Sequence, residues 1–346
     1  MKAVRYERSG GPEVLELVDV PDPAPSSRDV VVEVDATALN RLDVVQRSGW
    51  YFMPGFRFPH IAGMDVAGTV VAIGRDVTMV AVGDRVVVDP SMTEVPAGSL
   101  YCGLGDIYGE LGIIGATLDG GYAELCLAPE THLHAVPDEM SLTTAATFPT
   151  CWLTSWHALV EIGRLQPDES VLIHAAGSGV SVAAIQLAKH VGATVIATAG
   201  TDAKCAHALT IGADHVVNNR TGDVVAIARD VTGGRGVDMV LDHVGPALWA
   251  ASLFALRPRG RLVFCGNTTG DTATIPSLGF AYHMGLQILG SDPYRYREFG
   301  EAWSVFCGAD FAAVIDSEFP LAAAADAEAK LLSGDVIGKI LLRPRS

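Results

Sequence analysis

The strongest pattern in the chain lies between residues 171 and 204. An apolar run at 171–176 breaks at Gly177-Ser178-Gly179; Ala184, Ile185, Ala188 and Val191 then recur on one helical face, and 194–199 is apolar again. The spacing predicts a strand, a glycine turn, a helix and a second strand. Further strand-like runs at 215–218, 237–243, 260–266 and 286–289 alternate with helical patterns around 202–211, 222–231 and 246–256, which implies a parallel sheet. Upstream, 3–6, 14–20, 30–38, 66–73 and 85–88 are short strands between Gly, Pro and Asp turns. Pro21, Pro23 and Pro25 mark one loop, Pro54 and Pro59 another, since neither stretch suits a central strand. After an alanine-rich helix around 321–332, the run 337–342 returns to strand character and is expected to close the N-terminal domain. The pattern predicts an α/β protein of two domains. One is a β-rich domain built from 1–125 with 305–346; the other is a doubly wound parallel-sheet domain over 126–304.

Ligands of open parallel sheets bind at the carboxyl ends of the strands, so the turn at 177–179 is where chemistry is expected. Small residues there let the backbone approach a pyrophosphate whose charge faces the positive end of the following helix. Gly177, Ser178, Gly179 and Val180 are the candidate contacts, although Ala176–Ser181 keeps only two of the glycines of G-x-G-x-x-G. An acid that would hold a ribose 2′-hydroxyl is expected at the end of the second strand, and Ala199 stands there. Thr201 and the cation Lys204 follow, which suits a 2′-phosphate and favours NADPH; Asp202 leaves NADH open. By the same rule His243, Val244 and Gly266 mark the nicotinamide end.

Composition narrows the classes. A chain of 346 residues with 49% apolar residues and 37 glycines suits an α/β enzyme. Its 24 basic against 40 acidic residues give a net charge of −16, which disfavours nucleic-acid phosphate and anionic lipid and favours small neutral substrates. Six scattered cysteines form no C-x-x-C pair, so a reducing cytosol is expected, and neither an export signal nor an 18-residue apolar span is evident. The segment 40–60 crowds Trp50, Tyr51, Phe52, Phe56 and Phe58, as a pocket wall or as a local core under a loop. A long glycine-rich excursion fills 89–121.

The stretches GGPEVLEL (10–17), ALNRLDVVQRSGWY (38–51), GMDVAGTVVAIG (63–74), VGDRVVV (82–88), DGGYAEL (119–125), AGSGVSVAAIQLAK and VLDHVG (240–245) resemble the medium-chain dehydrogenase/reductases over nearly the whole chain. The resemblance is greatest to the quinone oxidoreductase branch and to zinc-type alcohol dehydrogenase homologues, and it implies a GroES-like domain beside a Rossmann domain. Where the zinc enzymes of that family carry their catalytic ligands, this chain has Asn40, Met64 and Thr150, with Asp65 in place of a glutamate. Only Cys102 remains of a structural zinc lobe, so no zinc is expected. Without a Lewis acid, plain alcohol oxidation should be poor, whereas a quinone or α,β-unsaturated carbonyl needs a hydrogen-bond donor and a proton source. The resemblance maps Asn40 and Tyr51 as those groups, with Asp43 completing N-x-x-D in a catalytic or a structural role. It also adds Thr150, Thr154, Asn219 and Ser291 as candidate cofactor contacts; Val45 and Asn219 stand where relatives often carry tyrosines. The expected activity is zinc-independent, NADPH-dependent reduction of a small hydrophobic quinone or enone. An NAD(P)-dependent alcohol dehydrogenase and a non-catalytic cofactor- or RNA-binding relative are the alternatives. A homodimer is expected through two extended runs at 271–290, with no nucleic-acid or membrane partner.

Overall fold

The computed structural model describes residues 1–92, 94–95, 97–102, 112–291 and 294–345. The chain forms two compact units, Met1–Thr150 with Arg295–Ser346, and Cys151–Tyr294. Both expected domain boundaries therefore move. The runs after residue 125 return to the first unit's sheet, and a helix near 300 packs its aromatic face there.

The first unit begins with a small antiparallel pair, β1 (Lys2–Arg5) and β2 (Glu16–Asp19). Its main sheet is organised on β3 (Asp29–Ala38), whose DVVVEVDATA sequence is buried along nearly its full length. Helix α1 (Arg41–Ser48) follows directly, started at Asn40 and stopped by Gly49 in the left-handed region at φ +80°. Strands β4 (Asp65–Ile73), β5 (Arg85–Val88), β6 (Leu125–Pro129) and β7 (Leu133–Ala135) come next, then helices α2 (Leu142–Ala146) and α3 (Pro149–Trp156).

The second unit alternates strand and helix. In order they are β8 (Ser170–Ile173), α4 (Gly179–Val191), β9 (Thr194–Ala199), α5 (Asp202–Thr210), β10 (His215–Asn218), α6 (Val224–Val231), β11 (Val237–Asp242), α7 (Pro246–Ala255), β12 (Leu256–Phe264), α8 (Leu278–Met284) and β13 (Gln287–Gly290). The six strands are parallel in the order β10-β9-β8-β11-β12-β13, and every one of the expected runs is present. Of the two extended runs expected at 271–290, only β13 is a strand. The other position is taken by α8, started by the Ser277 side chain.

The tail supplies α9 (Tyr296–Gly308), β14 (Ile315–Pro320), α10 (Ala324–Ser333) and β15 (Lys339–Arg343). Phe299, Trp303 and Phe306 of α9 pack on Phe148 at ring separations of 5.2, 4.9 and 5.1 Å, which fixes this helix to the first unit. The sheet there runs β14-β15-β3-β4-β5-β7, with β6 also on β3. Register is what matters for chemistry: Ala38 lies opposite both Asp65 of β4 and Leu341 of β15. Antiparallel pairing thus brings the residues just past β3, the start of β4 and the start of β15 to one end of the sheet. Among the described residues, no helix is long and apolar enough to cross a membrane.

Candidate active site

At that end of the first sheet sits a buried lysine. Lys339 is 5% exposed, and its ammonium donates to Leu39 O at 2.7 Å, to Asn40 Oδ1 at 2.7 Å and to Asp65 Oδ2 at 2.9 Å. The other Asp65 oxygen accepts the Thr150 N–H at 2.8 Å and its hydroxyl at 2.5 Å. Asp65 is fully buried, so its ion pair and the two hydrogen bonds from Thr150 are what make its charge tolerable. Just before β4, Gly63 lets the backbone of Gly121 and Tyr122 pack closely: it holds φ +105°, and a Cβ there would lie 2.8 Å from the backbone nitrogen of Tyr122.

These residues do not fit a zinc ion. Asn40, Met64 and Thr150 offer an amide, a thioether and a hydroxyl, Asp65 is already saturated, and a fixed ammonium stands among them. Among the described residues no group of three or more His, Cys, Asp or Glu side chains could hold a metal.

Asn40 is placed by α1. Its backbone N–H donates to Asp43 Oδ2 at 2.8 Å, while its side-chain Nδ2 has only the distant Ala38 carbonyl at 3.4 Å. Asp43 also accepts from the Tyr122 hydroxyl at 3.2 Å and is 1% exposed. The N-x-x-D pattern is therefore a helix-start device: Asp43 holds Asn40 and Tyr122, and pairs with neither Arg41 nor Arg47. Arg47 reaches instead to Glu328 of α10 at 2.6 Å. Burial, reinforced by Glu328 and Asp65, pushes the Asp43 carboxyl up to about 7. Burial likewise raises Glu328. Tyr51 lies beyond α1 and is half exposed. Phe52, Phe56 and Phe58 pack their rings together, and Phe56 and Phe58 meet the buried Tyr6, while Trp50 and Tyr51 are the most exposed of the segment's aromatic side chains. His60 is a satisfied core histidine, bonded to Gly115 O at 3.1 Å. In the 89–121 excursion, residues 93, 96 and 103–111 lie outside the described residues.

The second unit presents its candidates at the carboxyl ends of its strands, as expected. Ala175 takes φ +53°, a conformation that is strained for a residue with a Cβ, and the chain turns through Gly177 into α4. Ser178 begins α4 without a side-chain cap, so the first N–H groups of this 13-residue helix are not satisfied by their own N-cap. Ser181 Oγ donates to His174 O at 2.6 Å, so its oxygen accepts Nε2–H from His243 at 2.7 Å. Ser252 donates to Asp242 Oδ2 at 2.7 Å and meets His174 Nε2 at 2.9 Å, which leaves His174 Nδ1 to accept from Thr198 at 2.9 Å. Burial lowers His174 to about 4 and lowers His243 as well, so both rings are neutral. The second Asp242 oxygen takes the N–H groups of Val244 and Gly245 at 2.8 and 2.9 Å. His243 and Val244 are thereby fixed by a closed network under the loop, and Gly266 packs against His243.

At the end expected from the sequence to meet adenosine, Thr201 caps α5 through Lys204 N at 3.3 Å, and Asp202 is taken by Asn218 Nδ2 at 2.7 Å. The Asn219 N–H donates to Ala199 O at 2.9 Å, which draws the end of β10 beside the end of β9. Arg220 then stacks on the turn: its Nε lies 3.2 Å from where a Gly200 Cβ would be. This guanidinium was not found from the sequence. Its signal is topological, because a residue after β10 meets the β9 turn only if β9 and β10 are neighbours. Thr154 is half-buried in α3, and Ser291 donates its N–H to Phe264 O at 2.9 Å just past β13. Thr150, expected among cofactor contacts, spends both its donors on Asp65.

Two family models match the chain: an alcohol dehydrogenase GroES-like domain over residues 26–138 and a zinc-binding dehydrogenase domain over 179–307. A quinone oxidoreductase of Salmonella typhimurium is 33% identical over 282 residues, covering 82% of this chain and 77% of that relative. Among solved structures, an NAD-dependent alcohol dehydrogenase is 37% identical with a TM-score of 0.90, over 99% of both chains. The Escherichia coli quinone oxidoreductase complexed with NADPH is 29% identical with a TM-score of 0.83, over 99% of this chain and 100% of that one. The fold is accordingly a GroES-like domain with a Rossmann-type parallel sheet. The protein belongs to the medium-chain dehydrogenase/reductase superfamily, in its quinone oxidoreductase-like branch, and is an NAD(P)H-dependent oxidoreductase.

Proposed function

We propose that this chain reduces a quinone or an α,β-unsaturated carbonyl with NADPH and without zinc. The observation that carries the proposal is the ammonium of Lys339 among the positions where the family's zinc ligands would stand, with Asp65 satisfied on both oxygens. Bound at the glycine turn, the nicotinamide cofactor supplies a hydride. As hydride enters the acceptor carbon, negative charge spreads to the conjugated oxygen, and the Asn40 amide donates to that oxygen. Tyr51, exposed beyond α1, or water supplies the proton. Gly177, Ser178, Gly179 and Val180 bring the backbone and the uncapped start of α4 to the pyrophosphate, while Val244 and Gly266 line the strand ends beyond it.

NADPH is favoured over NADH by two features of the β9 turn. Asp202 is engaged by Asn218, and Arg220 joins Lys204 beside Thr201, which suits a 2′-phosphate better than a ribose hydroxyl. The name of the alcohol dehydrogenase structure makes NAD-dependent alcohol oxidation the second reading. The deciding experiment follows NADPH and NADH oxidation with a panel of quinones and enones, with and without a strong chelator. Turnover preferring NADPH and indifferent to chelation is expected. Turnover abolished by chelation, or alcohol oxidation with NAD as the main activity, refutes the proposal.

A second copy of the chain is the proposed partner. β13 ends the six-stranded sheet, and the neighbouring α8 exposes Leu278 and Tyr282 at 71% and 70%. Sedimentation as a monomer would refute the dimer. The six free cysteines agree with a reducing cytosol.

A further inference from the structure

We infer that Lys339 is a positioning residue: it fixes which end of the Asn40 amide faces the substrate, and so selects substrates that present a hydrogen-bond acceptor. The inference rests on the proposed role of Asn40. An ammonium can only donate, and Lys339 donates to the Leu39 carbonyl, Asn40 Oδ1 and Asp65 Oδ2, at 2.7, 2.7 and 2.9 Å. Rotating the Asn40 amide by half a turn would place its NH2 against that ammonium, donor against donor, in a site where Lys339 is 5% and Asn40 6% exposed. A buried ammonium that loses an acceptor is costly, so the oxygen stays inward. Nδ2 is left with one long contact to Ala38 O at 3.4 Å and a second N–H that has no partner among the described residues. The backbone cannot drift to compensate, because Asp43 holds the Asn40 N–H at 2.8 Å.

The arrangement sets a polarity. A carbonyl or quinone oxygen, which gains charge as hydride arrives, meets a preset donor; an alcohol that must lose a proton meets no acceptor from Asn40. Asp65 makes this possible at a distance by neutralising the ammonium, while Thr150 fills its other oxygen.

Removing Lys339 alone would strand the buried Asp65 charge, so the test removes both charges together. Four proteins are compared: wild type, N40A, the neutral pair K339M with D65N, and the triple variant. Expected is a roughly tenfold to hundredfold fall in kcat for the neutral pair, with the KM for NADPH little changed, and no further fall when the pair is removed from N40A. Losses that multiply, or a neutral pair that lowers only the melting temperature, overturn the inference. A readout without turnover separates its failure from that of the proposed reaction. In protein labelled with 15N-asparagine, the side-chain NH2 pair lost in N40A should be sharp in wild type and should broaden in the neutral pair, where the extra resonance of the introduced amide at position 65 is identified as the one that persists in the triple variant. An unchanged sharp pair overturns the inference whether or not the enzyme reduces quinones.

Discussion

Two buried polar clusters, one in each unit, are built in opposite ways. In the Rossmann-type unit, two neutral histidines, three hydroxyls and a single carboxylate close on one another, and the network ends on the backbone N–H groups of Val244 and Gly245. In the GroES-like unit the buried set is built on ion pairs, Lys339 with Asp65 and Arg47 with Glu328, beside an Asp43 carboxyl whose proton is held up to about pH 7. That set is also incomplete. Among the described residues, Asp43 Oδ1 and Glu328 Oε1 have no hydrogen-bond partner, and one Asn40 N–H is unspent. A closed hydrogen-bond network holds a backbone still, whereas an open set of ion pairs can act on a bound molecule.

The largest effect expected from this contrast concerns Asp43. Its carboxyl is held near 7 in the fold against 3.8 when unburied. The native state therefore keeps a proton that the unfolded chain loses, and this part of the stability is fully present below about pH 4. It falls by roughly 1.4 kcal/mol per pH unit until about pH 7 and is then level, so its whole span is about 4 kcal/mol at most. D43N cannot ionise and its amide oxygen can still accept from Asn40 and Tyr122. Denaturation midpoints measured across this window should show a flatter pH dependence for D43N, with a remnant from Glu328. An unchanged slope would mean that Asp43 is ionised in the fold.

A smaller effect is expected in the closed network. S252A leaves Asp242 Oδ2 and His174 Nε2 short of a partner, at a cost of about 2 kcal/mol in unfolding free energy. Because the other Asp242 oxygen still holds the loop, kcat should stay within about twofold. A large loss of kcat in the still-folded variant would show that the network does more than brace the loop.

The smallest effect concerns Arg220. R220A should raise the KM for NADPH about tenfold, near 1.4 kcal/mol, and leave the KM for NADH almost unchanged. Equal changes with both cofactors would remove Arg220 from 2′-phosphate recognition.

Much of the second unit was written in local order. The alternation of apolar runs and helical faces from 171 onward needs only neighbours in sequence, and the observed strands and helices follow it closely. The turn at Gly177-Ser178-Gly179, the missing acid at Ala199 and the loop at His243–Gly245 could be located for the same reason, since a parallel sheet places all its strand ends on one edge. What the sequence alone determined was therefore the fold class, the edge on which the strand ends gather and the presence of Asn40 where the family's zinc enzymes carry a metal ligand. The partners of Asn40 were decided by tertiary structure. Lys339 lies 299 residues away, Glu328 lies 281 from Arg47, and Arg220 reaches Gly200 only across β10 and β9. No periodicity records such pairs. Strand register and burial do, because an ammonium taken out of water is stable only where the fold brings a carboxylate and two carbonyl oxygens to meet it.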